Sequence, residues 1–492
     1  MTTTSQPQPR PVEMDDVQGL ARFGHHHMKQ ASFLLLRVTD RDAARHWLAT
    51  APVTNAEKVE PRPQRALQVA LTSEGLRALG VSEEIVQGFS TEFVSGMAGD
   101  DNRSRRLGDV EASDPRHWNW GAPQNAPHVL VMLYAEPGLL DDWQRELQAG
   151  CKAGFEQLAC LSTSAMDDRE PFGFLDGISQ PQIDWERRRE ARDQERQDYT
   201  NLACLGEFLL GYPNEYGGYT DRPLLEVGSH TTTALPRAED AADKADLGRN
   251  GSYLVFRQLQ QDVHGFWQFL DQRAEGDAEL RRRWAEAMVG RTLDGKPLVN
   301  PTGDLNAFDY RLDAQGLRCP LGAHVRRANP RNADLPDGKP GFVNWLRRTL
   351  GFDAQARERD LVASTRFHRL IRRGRAYGHR PSLEQALAGS IDERDTGLHF
   401  ICLNGNIARQ FEFVQSAWLV GTRFDGLNRE GDPLLGARAP ERDGAATDAF
   451  SMPQTLGADQ RLCGLPRFVS VRGGAYFFLP GIRALRYLAT VA

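Results

Sequence analysis

The chain has 492 residues, 40% hydrophobic and 26% charged, with a formal net charge of −6. That length allows two domains and a core able to enclose a cofactor, and the small acidic excess excludes the basic footprint of a nucleic-acid binder. No apolar run approaches the roughly 18 residues of a membrane span, and six cysteines without a CxxC pair exclude a zinc ribbon, a thioredoxin motif and a CxxCH haem attachment.

Residues 1–10 are polar and proline-bearing, with neither the apolar centre of a signal peptide nor the paired arginines of a twin-arginine leader. A cytoplasmic location is expected. Residues 1–27 read as a disordered or extended arm, with His25, His26 and His27 on a surface loop. Regular pattern starts after it. An apolar run at 32–38 predicts a buried strand, Asp40 stands where an N-cap precedes a helix through Trp47 and Leu48, and 66–71 is a second strand. Thr72 and Ser73 open a short helix that ends at Gly80. A strand at 129–134 precedes a helix with Leu140, Trp143 and Leu147 on one face. Residues 184–198 alternate in charge and read as a solvated insertion, and 213–248, rich in Gly, Pro, Asp and Thr, as a long loop.

The order recurs in the second half. A strand at 251–256 precedes a helix with Val263, Phe266, Trp267 and Leu270 inward. A strand at 399–403 precedes another with Ile407, Phe411, Val414 and Trp418 inward, and 476–479 closes the pattern. Two rounds of strand and helix with antiparallel pairing predict two α+β modules.

Three segments carry chemistry. Gly173-Phe-Leu-Asp-Gly177 is a GxxDG, whose glycines let the backbone turn tightly and approach a flat ligand; a turn with a capping Asp explains the bare pattern equally. Arg318 to Arg331 holds His324 among small and apolar residues with Arg326 and Arg331 close behind. A neutral imidazole suits haem iron and arginines suit its propionates, but a structural histidine also fits, and Cys319 before Pro320 is a rival thiolate ligand. Residues 369–378 form an arginine-rich strand leading into a turn, and alone would read as solvated or phosphate-facing.

Taken together, in this order, these segments resemble the dye-decolourising haem peroxidases, in particular their longer-chain subgroups. The match comprises Gly173–Gly177, the proximal pattern Ala323-His-Val-Arg-Arg-Ala-Asn-Pro-Arg331 and the distal strand Ile371-Arg-Arg-Gly374, with supporting stretches at 206–217, 257–263 and 410–415. It runs from about residue 28 to 482. The resemblance implies an α+β fold of two ferredoxin-like domains, at 28–185 and 249–492, separated by a charged, loop-rich insertion at 186–248, with one non-covalent haem b held mainly by the second domain. It implies His324 as proximal iron ligand, with Asp176 as acid–base group and Arg372 as stabilising cation on the peroxide side. Leu398 and Phe400 alternate on one strand and would pack over the haem.

A carboxylate usually takes the other N–H of a proximal histidine, and Glu412 and Asp432 are the candidates. Gly374 stands where the shorter-chain subgroup has Asn, which removes one distal hydrogen-bonding group. The implied activity is reduction of hydrogen peroxide with one-electron oxidation of phenols, aromatic dyes or similar small donors through a ferryl haem. The alternative is a haem-handling protein with little turnover. An acidic optimum is expected, because a carboxylate near pKa 4 replaces an imidazole near 6.5. Tyr377 is a candidate electron relay. No nucleic-acid or membrane partner is expected.

Overall fold

The apolar runs become strands because both of their faces are covered. In the computed structural model, residues 10–175, 179–188, 201–228, 232–300, 305–306, 308–331, 364–389 and 396–490 are described. β1 (Gln30–Val38) leads into α1 (Arg41–Thr50), whose first turn is capped by Asp40 accepting from Ala43 N at 2.9 Å. β2 (Arg65–Leu71), β3 (Val129–Ala135), α2 (Leu140–Cys151) and β4 (Phe155–Ser162) complete a βαββαβ module. The pattern reading passed over β4, an edge strand whose residues are mostly exposed or half-buried, so no apolar run marks it.

The second module repeats the plan. β5 (Ser252–Gln261) precedes α3 (Val263–Arg273) and α4 (Ala278–Val289); a five-residue helix, α5 (His324–Ala328), follows. Its second strand is split into β6 (Ile371–Arg372) and β7 (Arg375–Tyr377), both paired with β8 (Gly397–Asn404). The expected helix after β8 is wound as π-helix over Ala408–Glu412 and Val414–Val420, with Glu412 N donating to Ile407 O at 2.9 Å. Its four expected inward residues are all buried. β9 (Val469–Leu479) and α6 (Ile482–Thr490) end the described chain.

The strand order is β6-β8-β5-β9-β2-β3-β1-β4. Each half has the ferredoxin-like order, second-third-first-fourth. The two sheets join edge to edge at Phe478 opposite Leu71, and approach again at the far edges, where Ser164 N donates to Ala376 O at 2.8 Å. They share an interior in which Phe33 of β1 packs edge-on against Phe256 of β5, with ring centres 5.6 Å apart. Alternation sends Leu34 and Leu36 to the helix-covered outer face, and Phe33 and Leu35 inward. Fully burying each such side chain is worth about 1.5–3 kcal/mol.

Three expectations need correction. The segment expected as an arm is packed from its later residues onward: Val17 and Leu20 are buried, and Gln18 Nε2 donates to Val69 O at 2.8 Å and Pro480 O at 2.9 Å. His25 is not on the surface but buried beside Tyr134, with ring centres 5.1 Å apart, and burial lowers its pKa to about 3. Leu205, Phe208, Leu209 and Tyr212, inside the expected insertion, belong to the same inner core. Residues 189–198 of the charged run lie outside the described residues. The described parts of the arm and the insertion lack periodicity because they cover the sheet interior as irregular chain.

Candidate active site

His324 opens α5, and its side chain stays 26% exposed while its partner is fully enclosed. His324 Nδ1 lies 3.0 Å from Asp432 Oδ2. Asp432 is itself held: Oδ1 accepts from Leu434 N at 2.9 Å and Leu435 N at 2.8 Å. Burial alone would raise its pKa, but the charge and hydrogen bond of His324, with Arg327 and Leu435 N, hold it below the ordinary value. This leaves Nε2 as the ring nitrogen with no hydrogen bond among the described residues. Glu412 is the wrong carboxylate for this position. It accepts from Tyr476 Oη at 2.9 Å and pairs with Arg103 Nε at 3.0 Å, joining the π-helix to the first module.

The expected propionate arginines separate. Arg326, fully buried, donates to Asp313 O at 3.0 Å, Asp313 Oδ2 at 3.2 Å and Cys319 O at 2.9 Å, and covers the Tyr310 ring. It staples the loop before His324, since a buried guanidinium must have its donors matched. Arg331 donates to Asn306 O at 3.0 Å, Phe308 O at 2.7 Å and Ser179 Oγ at 2.5 Å. It therefore ties the histidine segment to the chain just beyond GxxDG. Cys319 is buried, and burial first of all pushes its thiol up to about 12. A thiolate ligand there is disfavoured.

Asp176 and Gly177 lie outside the described residues, but the chain on both sides of them is anchored. Glu170, which the pattern reading missed, accepts from Phe172 N at 3.1 Å, Phe174 N at 3.0 Å and Gln261 Nε2 at 2.9 Å. Gly173 has φ +103°, a backbone conformation that favours glycine. A carboxylate two and four residues before two amide donors was the available signal for Glu170. On the other side, Ser179 O accepts from Arg372 Nη2 at 3.2 Å. Arg372 is exposed and has no carboxylate partner among the described residues. Gly374 is explained by packing: a Cβ there would stand 2.5 Å from His399 O.

Leu398 and Phe400 are half-buried on the outer face of β8, opposite Leu259 and Arg257 of β5, while His399 points inward. Tyr377 is not a surface group. It is buried, donates to Leu259 O at 3.3 Å and stacks on His399 at 4.3 Å.

No family model matches the chain. The multifunctional dye peroxidase DyP2 of Amycolatopsis sp. is 28% identical over 461 residues, covering 86% of this chain and 82% of that protein. The dye-decolorizing peroxidase msp1 of Mycetinis scorodonius is 26% identical over 524 residues, covering 98% and 88%. Over nearly its whole length the chain is similar to dye-decolourising peroxidases. The fold agrees. An ancestral D-type dye-decolorizing peroxidase superposes with TM-score 0.70 at 23% identity over 97% of this chain and 99% of the other. A dye-decolorizing peroxidase in complex with 2,6-dimethoxyphenol does so with TM-score 0.71 at 23% identity over 97% and 100%.

As a dye-decolourising peroxidase the chain is a haem-dependent oxidoreductase with peroxide as oxidant, and its cofactor is haem b. The donor set fits that group: one imidazole with its far nitrogen tied to a carboxylate, a guanidinium with no carboxylate partner among the described residues, and two half-buried apolar side chains. Among the described residues there is no group of three or more His, Cys, Asp or Glu side chains that could hold a bare metal ion. No described helix is long and apolar enough to cross a membrane.

Proposed function

We propose that His324 is the proximal iron ligand, with Asp432 its carboxylate partner, and that Asp176 and Arg372 act on the peroxide. The observation that carries this reading is the His324–Asp432 pair, because a buried, fully hydrogen-bonded carboxylate on Nδ1 leaves Nε2 to donate to a metal. Haem b supplies the two-electron reduction of peroxide and the one-electron oxidation of donors. The chain's own residues do the rest. Asp432 orients the imidazole and fixes its tautomer. Asp176 takes a proton from one peroxide oxygen and returns it to the departing one. Arg372, permanently charged, stabilises negative charge as the O–O bond breaks. The Leu398–Phe400 face holds the cofactor in place, and Arg331 holds the histidine segment against Ser179.

The donors are small phenols and aromatic dyes. The relatives' names and the 2,6-dimethoxyphenol complex of a structural neighbour support that class. All six cysteines are free, which agrees with a cytoplasmic setting.

The test is the absorption spectrum of the purified protein before and after one equivalent of hydrogen peroxide, alongside His324→Ala. A Soret band that shifts with peroxide in the wild type, and is lost or displaced in the variant, is expected. A band indifferent to peroxide would replace this reading with haem handling. Turnover should also peak at acidic pH, and a maximum above pH 7 would remove Asp176 from its role.

A further inference from the structure

β6 has only two residues, and among the described residues no strand lies beside its outward backbone groups. Arg373 N turns back to β8, donating to Ile401 O at 2.7 Å, so the N–H and C=O of Arg372 face away from the sheet. One side chain meets both. Gln180 Oε1 accepts from Arg372 N at 3.0 Å, and Gln180 Nε2 donates to Arg372 O at 2.8 Å. The amide thus does for Arg372 what a neighbouring strand residue would do. The residue before it, Ser179, accepts from the Arg372 guanidinium through its carbonyl and from Arg331 through its hydroxyl.

The far side of this segment is also held. Asn201 Nδ2 donates to Gln180 O at 3.2 Å, Gln182 N donates to Asn201 O at 2.8 Å, and Gln182–Ile183 pairs with Leu202–Ala203. Ser179 and Gln180, two and three residues after GxxDG, therefore gather the arginine of the histidine segment and the exposed arginine of β6. No other described side chain bonds the main chain of Arg372 on both its polar groups.

We propose that Gln180 is a positioning residue for the peroxide reaction: its amide clamps the main chain of Arg372 and so sets where that guanidinium stands. This rests on Arg372 being the peroxide-side cation. A misplacement of about 1 Å in such a group can cost on the order of a hundredfold in rate, whereas the clamp touches neither His324 nor Asp432. Gln180→Glu keeps an acceptor for Arg372 N but sets an oxygen against Arg372 O. Gln180→Met keeps the volume and removes both bonds.

The experiment has two readouts. In the haem-free protein, hydrogen exchange at the Arg372 amide should quicken in both variants. In the haem-loaded protein, cyanide, an anion that binds ferric haem on its open side, should bind about tenfold more weakly in both, with the resting Soret band unchanged. Arg372→Leu is measured beside them. If it weakens cyanide while Gln180→Met and Gln180→Glu do not, the clamp proposal is overturned and the role of Arg372 stands. If Arg372→Leu has no effect on cyanide, the reading of Arg372 itself fails, and the proposal with it. Should Gln180→Met not fold, Gln180→Asn, which shortens the clamp by one methylene, gives the same comparison.

Discussion

The two modules share one strand order and differ in regularity. In the first, the four strands run seven to nine residues and both crossovers are α-helices. In the second, the corresponding second strand is broken into β6 and β7, and the second crossover is wound as π-helix. The irregular places adjoin the proposed site: Arg372 ends the first half of the broken strand, and Arg327, three residues after His324, donates to Trp418 O and Gly421 O at the end of the π-helix. One module thus keeps its regular elements, and the other is distorted where the proposed site lies, in line with the frequent association of π-winding with function.

Variants can break that comparison. The largest effect should come from Arg372→Leu, which is expected to slow the reaction with peroxide about 10²–10³-fold in stopped-flow measurement, the usual cost of removing a charge-stabilising donor. Asp432→Asn should cost about 10–100-fold in activity or haem affinity, read from turnover and haem titration; an unchanged enzyme would detach Asp432 from the mechanism. Neither variant has a counterpart in the first module.

The next effect concerns stability. His399 points into the shared interior, with Nε2 3.0 Å from Ser162 O, and burial lowers its pKa from 6.5 to about 4. The unfolded chain therefore binds more protons between those two values, and stability falls as pH drops through this window. This group contributes on the order of 3 kcal/mol of pH dependence, which His399→Phe should remove; urea denaturation at pH 7 and pH 4.5 would reveal it. An undiminished slope would assign acid sensitivity elsewhere, with buried His25 the next group to replace.

Gly374→Ala should destabilise by about 1–3 kcal/mol through overpacking against β8, and should also impair peroxide reaction because it lies two residues from Arg372. The smallest change, Asp40→Ala in the first module, should cost about 1 kcal/mol in thermal denaturation through loss of the helix cap and leave peroxide chemistry intact. If that cap variant reduced turnover at equal folded fraction, the division between a packing module and a working module would be wrong.

By itself the sequence determined the strands and helices whose apolar residues recur with a period, the Asp40 cap, the two-module plan, and the segments around Gly173, His324 and Arg372. Those are local properties, written in periodicity and in glycine, proline and histidine placement. Only the tertiary structure decided between Asp432 and Glu412, because both are carboxylates far from His324 in sequence and neither position is marked by a pattern. It also decided that Arg326 is a staple, that His25 and Tyr377 are buried, and that Glu170 and Gln180 hold the chain on either side of residues 176–178. Each of these depends on which distant backbone groups need a partner once the two sheets share an interior, and one-dimensional pattern carries no record of that.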